Sequence, residues 1–106
     1  MVERISDATL QEKLARGDDV QVVDTRSPDA FAAGHIPGAR NLPYAELADR
    51  IDDIEWAEEV VLVCQEGESS VQAGRILESY EGVDDDAVVA SLSGGYDEWE
   101  YDLETA

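Results

Sequence analysis

Apolar positions fall in two rhythms that alternate along the chain. Val20-Gln21-Val22-Val23 is a short β-branched run closing on Asp24, Val60-Val61-Leu62-Val63 is apolar throughout, and Val88-Val89-Ala90-Ser91-Leu92 is a third run. A continuously apolar run is what a strand covered on both faces requires. Shorter strand-like pieces lie at residues 2–5 and 39–42. Helical patterns fill the intervals. Ser6 is a good N-cap, Asp7 suits the positive helix end, and Ile5 and Leu10 occupy the two staple positions. Glu12 and Arg16 form an i,i+4 pair in the favoured order, and Gly17 is a stop signal. Pro43 opens a second predicted helix over residues 44–50. The clearest is residues 70–80, where Ala73, Ile76, Leu77 and Tyr80 share one face and Gly82 follows. Asp84-Asp85-Asp86 reads as a solvated turn.

Strand–helix alternation predicts an α/β fold, a parallel sheet with helices on both faces. The 106 residues carry no internal repeat, linker or low-complexity stretch, so residues 1–106 read as a single domain. The longest apolar run, Val60 to Cys64, is far short of the about 20 residues a bilayer span needs. Nor does the N-terminus show the apolar core of a secretory signal, so a cytoplasmic location is expected. A lone cysteine permits neither an internal disulfide nor a multi-thiolate metal site.

Charge changes the picture of the surface. Seven basic against 26 acidic residues give a net charge of −19, and Lys13 is the single lysine. Such a surface repels phosphate, so neither nucleic acid nor an anionic membrane is an expected partner. The acids are interleaved with apolar residues, which argues against a disordered acidic tail. The expected setting is concentrated salt, as in a halophilic archaeon, where a Debye length of about 3 Å at 1 M screens the self-repulsion.

In open parallel sheets ligands bind beyond the carboxyl ends of the strands. Cys64 stands at such an end, followed by Gln65-Glu66-Gly67-Glu68-Ser69-Ser70 and then the clearest helix. Free amides of a loop feeding a helix N-terminus favour a thiolate and hold an anion. Gly67 permits a tight curl, while Ser69 and Ser70 are expected to cap the helix and offer hydroxyl hydrogen bonds. Read without that loop, a lone cysteine on an apolar strand is an inert core residue.

Cys64-Gln65-Glu66-Gly67-Glu68-Ser69-Ser70 resembles the active-site loop of single-domain rhodanese-like sulfurtransferases. Val23-Asp24-Thr25-Arg26, Phe31 and Gly34-His35-Ile36-Pro37-Gly38-Ala39-Arg40-Asn41-Leu42-Pro43 resemble the family's first signature, and Leu92-Ser93-Gly94-Gly95-Tyr96-Asp97-Glu98-Trp99 its closing one. The three occur in family order over nearly the whole chain. The resemblance implies a three-layer α/β/α domain with a five-stranded parallel sheet of order 1-5-4-2-3. It also implies a reaction. Cys64 takes a sulfane sulfur from a small donor or a persulfide-bearing protein, holds it as a persulfide against the amides of Gln65, Glu66, Gly67, Glu68, Ser69 and Ser70, and passes it to a thiophilic acceptor. No metal or organic cofactor is implied, and a monomer is expected. Related phosphatases use a longer loop with an arginine that clamps phosphate, and this chain has neither feature.

One departure bears on the substrate. Many active rhodaneses carry a basic residue in the loop, often where Ser69 stands, whereas this loop offers Glu66 and Glu68. Carboxylates facing a thiol raise its pKa and repel an anionic donor. A persulfide or polysulfide donor is therefore expected over the thiosulfate dianion, and a catalytically silent binding module is the competing reading. Asp24 and Arg26 are placed at the pocket edge, where Arg26 is the candidate for the missing positive charge. His35 is expected to be a structural turn residue that hydrogen-bonds backbone. Gly94-Gly95 is expected to pass close to the loop and open the last helix. Trp99 is assigned to the core, Trp56 to the core or a helix edge, and Arg75 to a surface pair with Glu78.

Overall fold

A computed structural model describes residues 2–83 and 86–105, so Asp84 and Asp85 of the expected acidic turn lie outside the described residues. Five strands, β1 (Glu3–Ile5), β2 (Gln21–Asp24), β3 (Arg40–Asn41), β4 (Glu59–Val63) and β5 (Val88–Leu92), form one sheet in the order β1-β5-β4-β2-β3. Every pairing is parallel. The predicted topology is therefore observed, with the continuously apolar β4 at its centre.

Period-two alternation divides the core between the sheet's two faces. Val60 and Leu62 of β4, with Val23 and Val89, pack against Leu47, Ala73 and Leu77. Val61 and Val63, with Val22, Ala90 and Leu92, pack against Leu10, Ile36 and Trp99. The helices are α1 (Asp7–Arg16), α2 (Pro28–Ala33), α3 (Leu47–Arg50), α4 (Ser69–Glu78) and α5 (Gly95–Glu98); α1, α3 and α4 supply Leu10, Leu47, Ala73 and Leu77, while Ile36 follows α2 and Trp99 follows α5. The α1 caps are those predicted. Ser6 Oγ accepts from Thr9 N at 3.1 Å, and Gly17 closes the helix at φ 76°. Ile5 and Leu10 meet in one cluster, as a hydrophobic staple should. Among the described residues no helix is long and apolar enough to cross a membrane.

Two local expectations are corrected and one helix is added. The helix expected over residues 44–50 is a 3-10 turn (Tyr44–Glu46), α3, and a second 3-10 turn (Ile51–Asp53). Tight winding still turns Leu47, Ile51 and Ile54 onto the core. A helix absent from the sequence reading, α2, starts at Ser27, whose Oγ accepts from Ala30 N, with Pro28 in the first turn. Helix α4 begins at Ser69 and ends at Glu78, short of Gly82, its last turn tightened by Ser79 N–H to Ile76 O at 3.2 Å. Trp99 is buried, and Trp56 is half-buried against the core with Nε1 donating to Ile51 O.

Candidate active site

Strand β4 delivers Cys64 to the carboxyl edge of the sheet, where the chain curls instead of pairing onward. Gly67 makes the curl possible. It sits at φ 94°, and a Cβ there would press on the Gly94 amide nitrogen at 3.0 Å. The curl brings Gly67 N to 3.0 Å and Ser70 N to 3.4 Å of Cys64 Sγ. Ser70 Oγ lies 3.3 Å from the same sulfur and 2.6 Å from Ser91 Oγ. The hydrogen bonds of the described residues leave the amides of Gln65, Glu66, Glu68 and Ser69 without a protein acceptor. These residues, with Cys64, line a cavity of about 210 Å³.

Neither serine caps α4 as expected. Glu68 is the N-cap residue and makes no side-chain capping bond, while Ser70 is turned inward to the sulfur. Burial pushes the Cys64 thiol up. Hydrogen bonds from the Ser69 and Ser70 hydroxyls and the Ser70 and Gly67 amides outweigh it and hold the thiol below its ordinary value. Glu66 and Glu68 are exposed on the cavity wall. The acidity therefore faces the approach to the sulfur, while the sulfur itself is held by donors.

The segment after β5 braces this loop from above. Gly95 sits at φ 56°, and a Cβ there would collide with Cys64 O. The close approach lets Tyr96 N donate to Cys64 O and Asp97 N to Gln65 O, both at 3.0 Å. The Gly94-Gly95 expectation thus holds in full, since α5 opens at that point.

Asp24 and Arg26 are beside the loop, but neither lines the cavity. Asp24 is fully buried, and Arg26 grips it through Nε at 3.1 and 3.2 Å and Nη2 at 2.9 Å. Nη2 also donates to Gly34 O at 2.6 Å, and the guanidinium lies 3.7 Å from the Tyr96 ring centroid. Burial would lower the Arg26 pKa, but the Asp24 carboxylate outweighs it and keeps the guanidinium charged. Only Nη1 reaches toward the loop, 3.4 Å from Gln65 Oε1. Gln65 in turn donates to Asp97 Oδ1 at 2.7 Å. Arg26 thus neutralises Asp24 and leaves little charge for the cavity.

Two residues of this network escaped the sequence reading. Tyr96 donates its hydroxyl to Asp24 Oδ2 at 2.9 Å and accepts from Ile36 N at 3.1 Å. Ser91 stands behind Ser70, and nothing in its local sequence distinguishes it from a core position. His35 is structural, as expected. Its Nδ1 lies 2.8 Å from Phe31 O, its ring stacks on Phe31, and its backbone pairs with Glu104.

The model of the rhodanese-like domain matches residues 6–102. The chain belongs to the rhodanese-like family. A thiosulfate sulfurtransferase, GlpE, of Pseudomonas putida is 40% identical over 96 residues, spanning 89% of this chain and 84% of the relative. The protein YqhL of Bacillus subtilis is 33% identical over 98 residues, 92% of this chain and 75% of that one. Among solved structures, a rhodanese-like domain protein of Staphylococcus aureus superposes with a TM-score of 0.80 at 29% identity, covering 99% of both chains.

Proposed function

We propose that this rhodanese-like domain is a sulfurtransferase that carries sulfane sulfur as a persulfide on Cys64. The observation that carries this reading is the socket itself. The Gly67 and Ser70 amides donate to one buried sulfur that also lies against the Ser70 hydroxyl, and four further loop amides remain free beside an open cavity. In the first step the Cys64 thiolate attacks the outer sulfur of a donor R–S–S⁻. The Cys64 S–S bond forms, the donor S–S bond breaks, and R–S⁻ leaves with the bonding pair. In the second step a thiophilic anion attacks the outer persulfide sulfur and carries it away, which restores the thiolate. The free amides supply the partial positive charge that the terminal sulfur needs.

The donor class follows from the wall of the cavity. Glu66 and Glu68 repel a dianion, and Arg26 is occupied by Asp24, so a protein-borne persulfide or an organic polysulfide, each carrying at most one charge at the reacting sulfur, suits the site better than thiosulfate. The −19 charge supports operation in concentrated salt, the setting of a halophilic archaeon. No cofactor takes part in either step, and the charge disfavours nucleic acid and anionic membranes as partners.

Incubation with polysulfide or thiosulfate in molar salt, followed by intact-mass measurement, tests the reading. A one-sulfur adduct is expected, removed by reductant and absent from Cys64→Ser. Failure of every donor to leave an adduct would make the domain a silent binding module. Thiosulfate turnover equal to that of a homologue with a loop arginine would overturn the donor assignment.

A further inference from the structure

Ser91 is the one fully buried polar side chain of β5, and the ladder sets it beside Leu62, two residues before Cys64. Its Oγ lies 2.6 Å from Ser70 Oγ, which lies 3.3 Å from Cys64 Sγ. Each hydroxyl owns a single hydrogen and two lone pairs, so the polarity of this chain of three atoms decides whether every hydrogen finds an acceptor. If the thiol donates to Ser70, either Ser70 donates to Ser91 and the Ser91 hydrogen needs an acceptor, or Ser91 also donates to Ser70 and the Ser70 hydrogen needs one. Among the described residues Ser70 Oγ is the one hydrogen-bond partner of Ser91 Oγ. Thiol donation therefore buries an unmatched donor in either case, which folded proteins avoid. In the opposite direction Ser91 donates to Ser70, Ser70 donates to the sulfur, and every hydroxyl hydrogen is used.

Taking Cys64 as the sulfur carrier, as proposed above, we infer that Ser91 is a positioning residue that fixes the polarity of this buried hydroxyl chain and so commits Ser70 as a donor to Cys64 Sγ. The sulfur then meets three buried donors, Ser70 Oγ, Gly67 N and Ser70 N, with the exposed Ser69 hydroxyl beside them. A thiol hydrogen has no buried acceptor in that socket, whereas an acceptor sulfur fits it. Ser91 lines no part of the cavity and touches no substrate. It acts through Ser70, where hydrogen bonds in a low-dielectric chain polarise one another.

The test is a double-mutant cycle of Ser70→Ala, Ser91→Ala and the pair, read by the ultraviolet absorbance of the thiolate against pH and by the rate of iodoacetamide alkylation. Neither readout depends on a sulfur donor, so both remain decisive if persulfide formation fails. Ser91→Ala is expected to raise the pH at which the thiolate appears and to slow alkylation near neutrality by about three- to tenfold. In the Ser70→Ala background it is expected to change neither. The pair is expected to melt above Ser70→Ala alone, because the second substitution removes the hydroxyl that the first one orphans. A wild-type titration in Ser91→Ala, or an equal effect in both backgrounds, would overturn the assignment. A merely structural Ser91 would lower the melting temperature and leave the titration where it is.

Discussion

The carboxyl ends of β2 and β4 are neighbours in the sheet, yet they hold negative charge by opposite means. At the end of β2 a buried carboxylate, Asp24, faces a guanidinium, a phenol and the Arg26 amide. At the end of β4 a buried sulfur faces amides and hydroxyls, with no cation among its partners. The first arrangement is closed, since the carboxylate and the guanidinium answer each other and neither lines the cavity at the loop. The second is open, because partial charges remain in the loop and a cavity lies beside them. A full cation fixes an anion permanently, whereas an array of dipoles holds a thiolate, a persulfide and then a thiolate again at similar cost. The two ends are linked by Gln65, which touches both Arg26 and Asp97.

The largest effect is expected from opening the closed end. Arg26→Ala leaves the fully buried Asp24 without its cation, and breaking such a pair costs about 3–5 kcal/mol. Denaturant unfolding should show that loss, and Asp24→Asn on top of it should recover part, because the uncompensated charge is gone. Persulfide formation per folded molecule should change only a few fold, since Arg26 lies outside the cavity wall. A loss below about 1 kcal/mol would mean that the pair behaves like an exposed one. Loss of activity without loss of stability would instead restore Arg26 to the pocket edge.

A smaller effect is expected from giving the open end the cation it lacks. Ser69→Arg places a guanidinium on the cavity wall among Glu66 and Glu68. Attraction of a dianion there is worth on the order of 1 kcal/mol or more, so thiosulfate kcat/KM should rise about tenfold at low salt. The gain should shrink in molar salt, where screening acts over about 3 Å. Transfer from a monoanionic alkyl persulfide should gain less. Unchanged thiosulfate turnover would show that the acidic wall is not what limits this donor.

The two ends also differ in how far the sequence reveals them. The β4 end is contiguous. A strand, a cysteine, a glycine and a helix start follow one another within a few residues, so local chemistry points straight at the loop. The strands follow from apolar runs, and their order is what the family resemblance implies. What stays hidden is whatever depends on contact across the sheet. Ser91 to Ser70 spans 21 positions, and Tyr96 to Asp24 spans 72, and neither Ser91 nor Tyr96 differs locally from an ordinary core residue. The serines of the loop mislead for a related reason. Ser-Ser before a helix reads as a cap, but the sulfur competes for Ser70 and wins. Helix α2 carries legible signals, Ser27 followed by Pro28, yet its six residues are too few for a hydrophobic period to emerge.

The smallest expected effect is on stability against pH, and it carries opposite signs at the two ends. Donors at the β4 end hold the Cys64 pKa below its unfolded value of about 8.5. Between the native pKa and about 8.5 the unfolded chain binds a proton that the native one has released, so stability rises with pH across that window. The contribution is complete above about 8.5 and disappears as pH falls through the native pKa. At the β2 end, burial first and the adjacent Asp24 carboxylate next push Tyr96 up. Its contribution is complete below about 10 and declines above that value. Urea unfolding of the wild type and of Cys64→Ser across these windows separates the two, since the substitution should flatten the lower limb and leave the upper one standing. A wild-type curve parallel to that of Cys64→Ser below about 8.5 would mean that the loop holds a neutral thiol.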